Sequence, residues 1–219
     1  KPPFDMLRDY APVTLVVRSG GYNVVIHPQV PAQTFKELLE LSRSGRAQIH
    51  YGSGGVGNSQ HLLGELINKR AGAKFVHVPY KGLAPVITAV ISNEIQLAFA
   101  SALTVVQHIK GGRLRALATS GAKRWQGLPD VPTLSEAGMP GFRFQPWQGI
   151  FAPARTPEPV VDKLSAEIAR IVMLPDIMAR ITGWGSQPLV TTPDEFARLT
   201  AEDHKRLSEI IKVANIRLD

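Results

Sequence analysis

The apolar positions of this chain follow two periods. Short runs that alternate or stay continuously apolar occur at "YNVVIH" (22–27), "AQIHYG" (47–52), "KFVHVPY" (74–80), "IQLAFAS" (95–101) and "LRALATSG" (114–121). These read as strands. Between them lie stretches with helical spacing at 34–45, 59–71, 84–93 and 103–112. In the first, Phe35, Leu38, Leu39 and Ser42 share one face, Thr34 is placed to cap the start, and Gly45 to end the helix. The second carries Leu62, Leu63, Leu66 and Ile67. Strands alternating with helices predict an α/β fold with a mostly parallel sheet of right-handed crossover units. In such sheets a ligand sits beyond the carboxyl ends of the strands. The loops to watch are therefore 52–58, 79–84, 100–103 and 119–124.

The texture then changes. Residues 127–159 are rich in Pro and Gly and read as a long crossing segment rather than a core element. Helical stretches follow at 158–173, 175–182 and 193–213, with a short apolar run at 187–190. The last helix opens on Thr192-Pro193-Asp194-Glu195, a cap, a proline in the first turn and acids at the positive end of the dipole. The expected organisation is a complete α/β lobe over 22–145 and a discontinuous second lobe from 1–21 and 146–219.

Composition narrows the function classes. The 219 residues include no cysteine, which excludes disulfides, thiolate metal sites and cysteine nucleophiles. No apolar run approaches the roughly 18 to 20 residues of a membrane span. The formal charge is +7. The basic residues are spread out, and the densest group, Lys69, Arg70 and Lys74, has no interleaved aromatics. Nucleic acid is therefore not an expected partner. The six histidines show no metal-ligand spacing. No metal and no cofactor are expected. The chain opens at Lys1 without Met or signal peptide, as a processed or trimmed product would.

The chemistry concentrates in "HYGSGGVGNSQHLLGE" (50–65), where Gly52, Gly54 and Gly57 spell G-x-G-x-x-G between a strand and a helix. A dinucleotide site needs an acid about 20 residues on, at the end of the next strand. That stretch, "KFVHVPYKG", has none. A phosphate loop needs a Lys after Gly57, and Asn58 is there instead. The hydrolase elbow fails because Tyr51 stands where its first glycine belongs. What survives is general. Glycines admit close backbone approach, and a helix start favours an anion. Ser53, Gly55, Gly57, Asn58 and Ser59 are candidate ligand-binding residues, with a plain capped turn as the alternative. Tyr80 and Ser101, at the ends of the next two strands, and Trp147, at the second crossing, complete the candidate set. His61 is expected to fix the loop locally, and His50 and His77 to be structural. The watched loops hold no Asp or Glu to act as acid or base, so no catalytic residue is assigned and no enzyme is expected.

"YGSGGVGNSQHLLGE", "FVHVPYKGLAPVITAV", "GRLRALATSGAKRWQGLPDVPTLSEAGMPGF" and "WQGIFAPARTPEPVVDKL" together resemble the Bug family, the TctC-like extracytoplasmic solute-binding receptors of tripartite tricarboxylate transporters. The most specific segments are His77-Val78-Pro79-Tyr80-Lys81-Gly82 and Leu128-Pro129-Asp130-Val131-Pro132-Thr133 with Glu136-Ala137-Gly138. The resemblance implies a type II-like, two-lobed periplasmic-binding-protein fold with a ligand in the cleft. It implies a di- or tricarboxylate, an acidic amino acid or an aromatic acid as that ligand. One carboxylate would sit against the glycine loop, matched here at Ser53, Gly55, Gly57 and Ser59. It further implies a periplasmic location and membrane transporter components as partners. Asn58 departs from the Ser or Thr usual there. Family members also carry roughly another 75 residues before "PPFDMLRDYAPV", so the N-terminal part of the first lobe is expected to be missing. The incomplete lobe is an expected surface for a homodimer. Two other functions stay open: a sensor that presents the bound carboxylate to a signalling partner, and a nucleotide-dependent enzyme using the Gly52–Gly57 loop.

Overall fold

The chain leaves one sheet at Ser19 and returns to it at Pro146, where the Ser19 N–H donates to the Pro146 carbonyl at 2.8 Å. A strand that ends where its partner begins must run antiparallel to it. This and the following observations come from a computed structural model that describes residues 4–213 and 216. In chain order the elements are α1 (Met6–Asp9), β1 (Tyr10–Ser19), β2 (Tyr22–Ile26), α2 (Phe35–Ser44), β3 (Ile49–Ser53), α3 (Ser59–Ala71), β4 (Phe75–Pro79) and α4 (Leu83–Ile91). Then come β5 (Leu97–Ser101), α5 (Ala102–Lys110), β6 (Arg115–Thr119), β7 (Trp147–Pro153), α6 (Glu158–Val172), α7 (Pro175–Gly183), β8 (Ser186–Pro188) and α8 (Pro193–Val213). They form two compact units, one of residues 1–19 with 146–209, the other of residues 20–145 with 210–219. The first three residues and part of the C-terminal end of the expected second lobe lie outside the described residues.

The smaller unit holds a sheet in the order β7-β1-β8, antiparallel throughout. The mostly parallel pairing expected of the fold is thus not found in this sheet and belongs to the other unit. Val13, Ala152 and Val161 bury the contact between this sheet and α6. Phe196 of α8 packs against Phe151 and against the edge of Trp147. Helix α8 starts with a capping box: the Glu195 N–H donates to Thr192 Oγ1, and the Thr192 N–H to Glu195 Oε2.

The larger unit holds a five-stranded sheet in the order β4-β3-β5-β2-β6. β3 runs parallel to β4 and β5, while β2 runs antiparallel to both β5 and β6. Four strands thus point one way, as the crossover pattern predicts, and β2 opposes them. Between β2 and α2, residues 27–34 bury Val30 and Ala32. The Pro- and Gly-rich segment corrects a sequence expectation. It supplies buried Leu134, Met139, Phe142 and Phe144 to this unit's core, and β7 forms within it. Its apolar residues enter one at a time through turns, so no periodicity announces them.

Where the chain enters this unit, Gly20 and Gly21 come into backbone contact with Gly121, which follows β6. A Cβ on Gly121 would lie 1.9 Å from the Gly20 carbonyl oxygen, and one on Gly21 would lie 2.3 Å from the Gly121 nitrogen. Ser120 pins the same place. Its Oγ accepts from the Tyr22 N–H at 2.8 Å and donates to the Phe144 carbonyl at 2.7 Å. Gly121→Ala is expected to lower stability by about 1–3 kcal/mol, the usual penalty for overpacking a site that cannot give way. Gly183→Ala, whose Cβ meets nothing within 4 Å, is expected to stay within about 0.5 kcal/mol of the parent chain. Urea unfolding midpoints of the two variants check both.

Candidate functional site

Because β3, β4 and β5 are parallel, their carboxyl ends lie at one edge of the sheet. Ser53, Pro79 and Ser101 end those strands there. β2 reaches the same edge from the other direction: its first residue, Tyr22, is paired with Ser101. The glycine turn joins β3 to α3 at this edge. Gly55 and Gly57 take φ values of 141° and 77°, which side chains larger than hydrogen rarely allow.

The inner side of the turn is held by two stacked imidazoles. The rings of His61 (α3) and His77 (β4) lie 3.7 Å apart at an interplanar angle of 10°. Ser53 Oγ sits 2.6 Å from His77 Nε2, donates to the Gly55 carbonyl at 2.9 Å and accepts from the Gly55 N–H at 3.2 Å. The single hydroxyl proton goes to Gly55, so the network closes with the His77 proton on Nε2. His61 Nδ1 accepts from the Gly57 N–H at 3.0 Å. His61, whose Nδ1 accepts, is therefore neutral. Burial lowers the affinity of each for a second proton, and the neighbouring His61 lowers that of His77 further, to a pKa of about 4. Behind them the Tyr51 hydroxyl donates to Glu65 Oε1 at 2.8 Å, and its ring fills the space left by Gly64. Burial and the nearby Glu65 push the Tyr51 phenol up.

The outer side presents donors. A helix start leaves its first N–H groups without intrahelical acceptors. Here the Asn58 N–H reaches the Gly55 carbonyl at 3.4 Å, the His61 N–H reaches Asn58 Oδ1 at 3.0 Å, and the Leu62 N–H reaches the Asn58 carbonyl at 3.0 Å. Among the described residues, the N–H groups of Ser59 and Gln60 have no acceptor. The Asn58 amide nitrogen lies over Gly54. Ser59 Oγ is 2.7 Å from the Tyr22 hydroxyl. This is a cluster of neutral donors at the positive end of a helix dipole.

The structure sorts the candidate residues. Ser53 is fully buried and, with Gly55, has its polar groups turned inward, where they shape the turn. Gly57 sets the approach to α3, and Asn58 and Ser59 stand at its start. The Tyr80 N–H donates to the Ser53 carbonyl at 2.9 Å, but its hydroxyl donates to Glu94 Oε1 at 2.9 Å. Ser101 Oγ is 2.7 Å from Thr104 Oγ1. Trp147 belongs to the smaller unit, where its indole N–H donates to Asp203 Oδ2 at 2.5 Å. Sequence reasoning missed Tyr22 and Gln60. The helix start could have pointed to Gln60. Nothing in "YNVVIH" reveals that β2 runs backwards and carries its first residue to the edge where β3, β4 and β5 end. Among the described residues, no group of three metal-type side chains comes together and no helix is long and apolar enough to cross a membrane.

The histidine stack makes a pH prediction. In the unfolded chain His77 titrates near its ordinary value of ~6.5. Its folded value is about 4. The unfolded state therefore binds more protons between these values, and stability is lost as pH falls through that window. The contribution is complete above about pH 6.5 and levels off below about pH 4. Unfolding midpoints measured from pH 7 to pH 4 should fall more steeply for the parent chain than for His77→Gln. Equal slopes would show that the stack does not carry the proton linkage.

Comparison with known proteins adds independent weight. Residues 1–216 match the family model TctC, described as the tripartite tricarboxylate transporter family receptor. A UPF0065 protein from the tcbD-tcbE intergenic region of Pseudomonas sp. (strain P51) is 31% identical over 95% of this chain and 62% of its own length. Protein BugT of Bordetella pertussis is 26% identical over 99% of this chain and 66% of its own. The chain thus spans less than two thirds of either relative. Among solved structures, one described as a periplasmic transporter superposes with a TM-score of 0.88 at 33% identity, covering 100% of this chain and 73% of that one. Rpa4515 of R. palustris, solved with adipate, gives a TM-score of 0.86 at 26% identity over 97% and 71% of the two chains. MatC from Rhodopseudomonas palustris, solved with bound malate, gives 0.84 at 26% identity over 96% and 72%. With its family model matched almost end to end, and solute-binding proteins as its structural neighbours, this chain belongs to the TctC family of tripartite tricarboxylate transporter receptors.

Proposed function

We propose that the protein is a periplasmic receptor that captures a small carboxylate and delivers it to the membrane components of a tripartite tricarboxylate transporter. The observation that carries this reading is the pair of N–H groups at Ser59 and Gln60 that have no acceptor among the described residues, next to a turn whose Gly55 and Gly57 N–H groups are bonded internally. Beside them stand the Ser59 hydroxyl and the Asn58 amide. Together they match what one carboxylate accepts: several short bonds to an anion at a helix start. The adipate and malate held by two structural neighbours are ligands of this class.

The Ser53–His77 contact has the outline of a nucleophile and its base, and two facts argue against catalysis. Ser53 is fully buried, so no substrate carbonyl can approach its Oγ. His77, at a pKa of about 4, is too weak a base to draw off a serine proton near neutral pH. The pair is better understood as the internal brace of a binding loop.

Thermal melting with adipate, malate and NAD tests the reading. A ligand at about 100 times its dissociation constant stabilises the native state by roughly 2.7 kcal/mol. Adipate or malate is expected to raise the melting temperature and NAD to leave it unchanged. Ser59→Ala is expected to weaken carboxylate binding by about tenfold or more, since a bond to a charged group is worth roughly 1.5–3 kcal/mol. A shift with NAD alone would overturn the receptor reading in favour of a nucleotide site.

A further inference from the structure

Tyr22 is the residue of the ligand edge whose part is unexplained. Its backbone is fixed on both sides by Ser120: the Tyr22 N–H donates to Ser120 Oγ at 2.8 Å, and the Tyr22 carbonyl accepts from the Ser120 N–H at 2.8 Å. Ser120 is fully buried and is bonded in turn to Phe144 through both its hydroxyl and its carbonyl. The ring therefore starts from a rigid base. It crosses the edge to Ser59, 37 residues on in sequence, with oxygen atoms 2.7 Å apart. A phenol is a stronger acid than an aliphatic alcohol, so in a bond between the two the phenol is the better donor. Ser59 Oγ then accepts from Tyr22, and its own proton is free to be donated alongside the N–H groups of Ser59 and Gln60.

We propose that Tyr22 is a positioning and specificity residue: by donating to Ser59 Oγ it commits the serine hydroxyl to donate outward, so that this corner of the site accepts ionised carboxylates and discriminates against neutral amides. The inference rests on the carboxylate reading above. Its physical content is that the site should offer protons and no acceptor. A free serine hydroxyl can rotate to accept from an amide N–H. A serine whose oxygen is already engaged by Tyr22 is biased against doing so, and its outward bond is strengthened by the one behind it. Burial raises the Tyr22 phenol above its ordinary value, so the donor is constant over physiological pH.

Calorimetric titration of the chain with adipate, malate and the diamide of adipic acid tests this in four proteins: the parent, Tyr22→Phe, Ser59→Ala and the double variant. Tyr22→Phe keeps the ring and removes only the hydroxyl. It is expected to weaken adipate and malate by roughly fivefold, the worth of about one hydrogen bond. The preference for adipate over its diamide is expected to fall by a similar factor, a readout that a purely structural role would not move. The double variant is expected to bind no more weakly than Ser59→Ala alone, because Tyr22 acts through Ser59. Parent-like affinity and selectivity in Tyr22→Phe would overturn the proposal while leaving the receptor reading intact. So would fully additive losses in the double variant. Failure of the parent chain to bind either dicarboxylate would instead remove the carboxylate reading, and this inference with it.

Discussion

The site depends on the direction in which the N–H groups of one glycine turn are spent. Gly55 and Gly57 each have an internal acceptor, Ser53 Oγ for the first and His61 Nδ1 for the second. The second of these acceptors exists only while His61 is neutral, since an imidazolium has no lone pair to offer. Stacking at 3.7 Å makes two charged rings costly, and burial makes even one unfavourable. Neutral histidines thus hold the turn, and the turn places the next two N–H groups, those of Ser59 and Gln60, where the helix can offer them to an anion.

Sheet topology then decides what surrounds that donor pair. Parallel β3, β4 and β5 bring three strand-to-helix turns to one edge. The reversed strand β2 adds a residue from its beginning, and it does so at a place fixed by backbone contact between Gly20, Gly21 and Gly121. No side chain fits in that contact, so the entry to the unit has little freedom to shift. The rigidity reaches the ligand edge through Tyr22, one residue beyond. A floppy entry strand could not hold a hydroxyl within 2.7 Å of Ser59.

Much of this was legible in the sequence, and what was not has a physical reason. Periodicity located the strands and helices from Tyr22 to Thr119 to within a few residues, because each buries one regular face. Caps were readable too: Thr34 Oγ1 accepts from the Glu37 N–H, and Gly45 ends α2 at φ 70°. Glycine spacing and the helix start located the turn between β3 and α3. Three things were hidden. Strand direction is not encoded in the alternation of one strand, so Tyr22 was passed over. β7 was masked by prolines and a glycine within "WQGIFAP" and its neighbours. The inward turn of Ser53 was invisible because it depends on His77, 24 residues away on the next strand. Local chemistry is written in the chain, whereas which hydroxyl faces in and which faces out is decided by neighbours across the sheet.

The two serines of the loop make that last point concrete. Ser53 and Ser59 flank the same glycines, and sequence alone gives them equal claim to a ligand. Ser53 ends a central strand, so its side chain is enclosed between β4 and the turn, and its hydroxyl is consumed by His77 and Gly55. Ser59 begins a helix at the sheet edge, where the only side-chain bond it makes among the described residues is to Tyr22. One hydroxyl therefore braces the turn and, on the proposed reading, the other is left to donate. Neutral donors of this kind hold an anion without the desolvation cost of a buried ion pair. That balance suits the proposed carboxylate receptor, which must bind selectively and still let its ligand go.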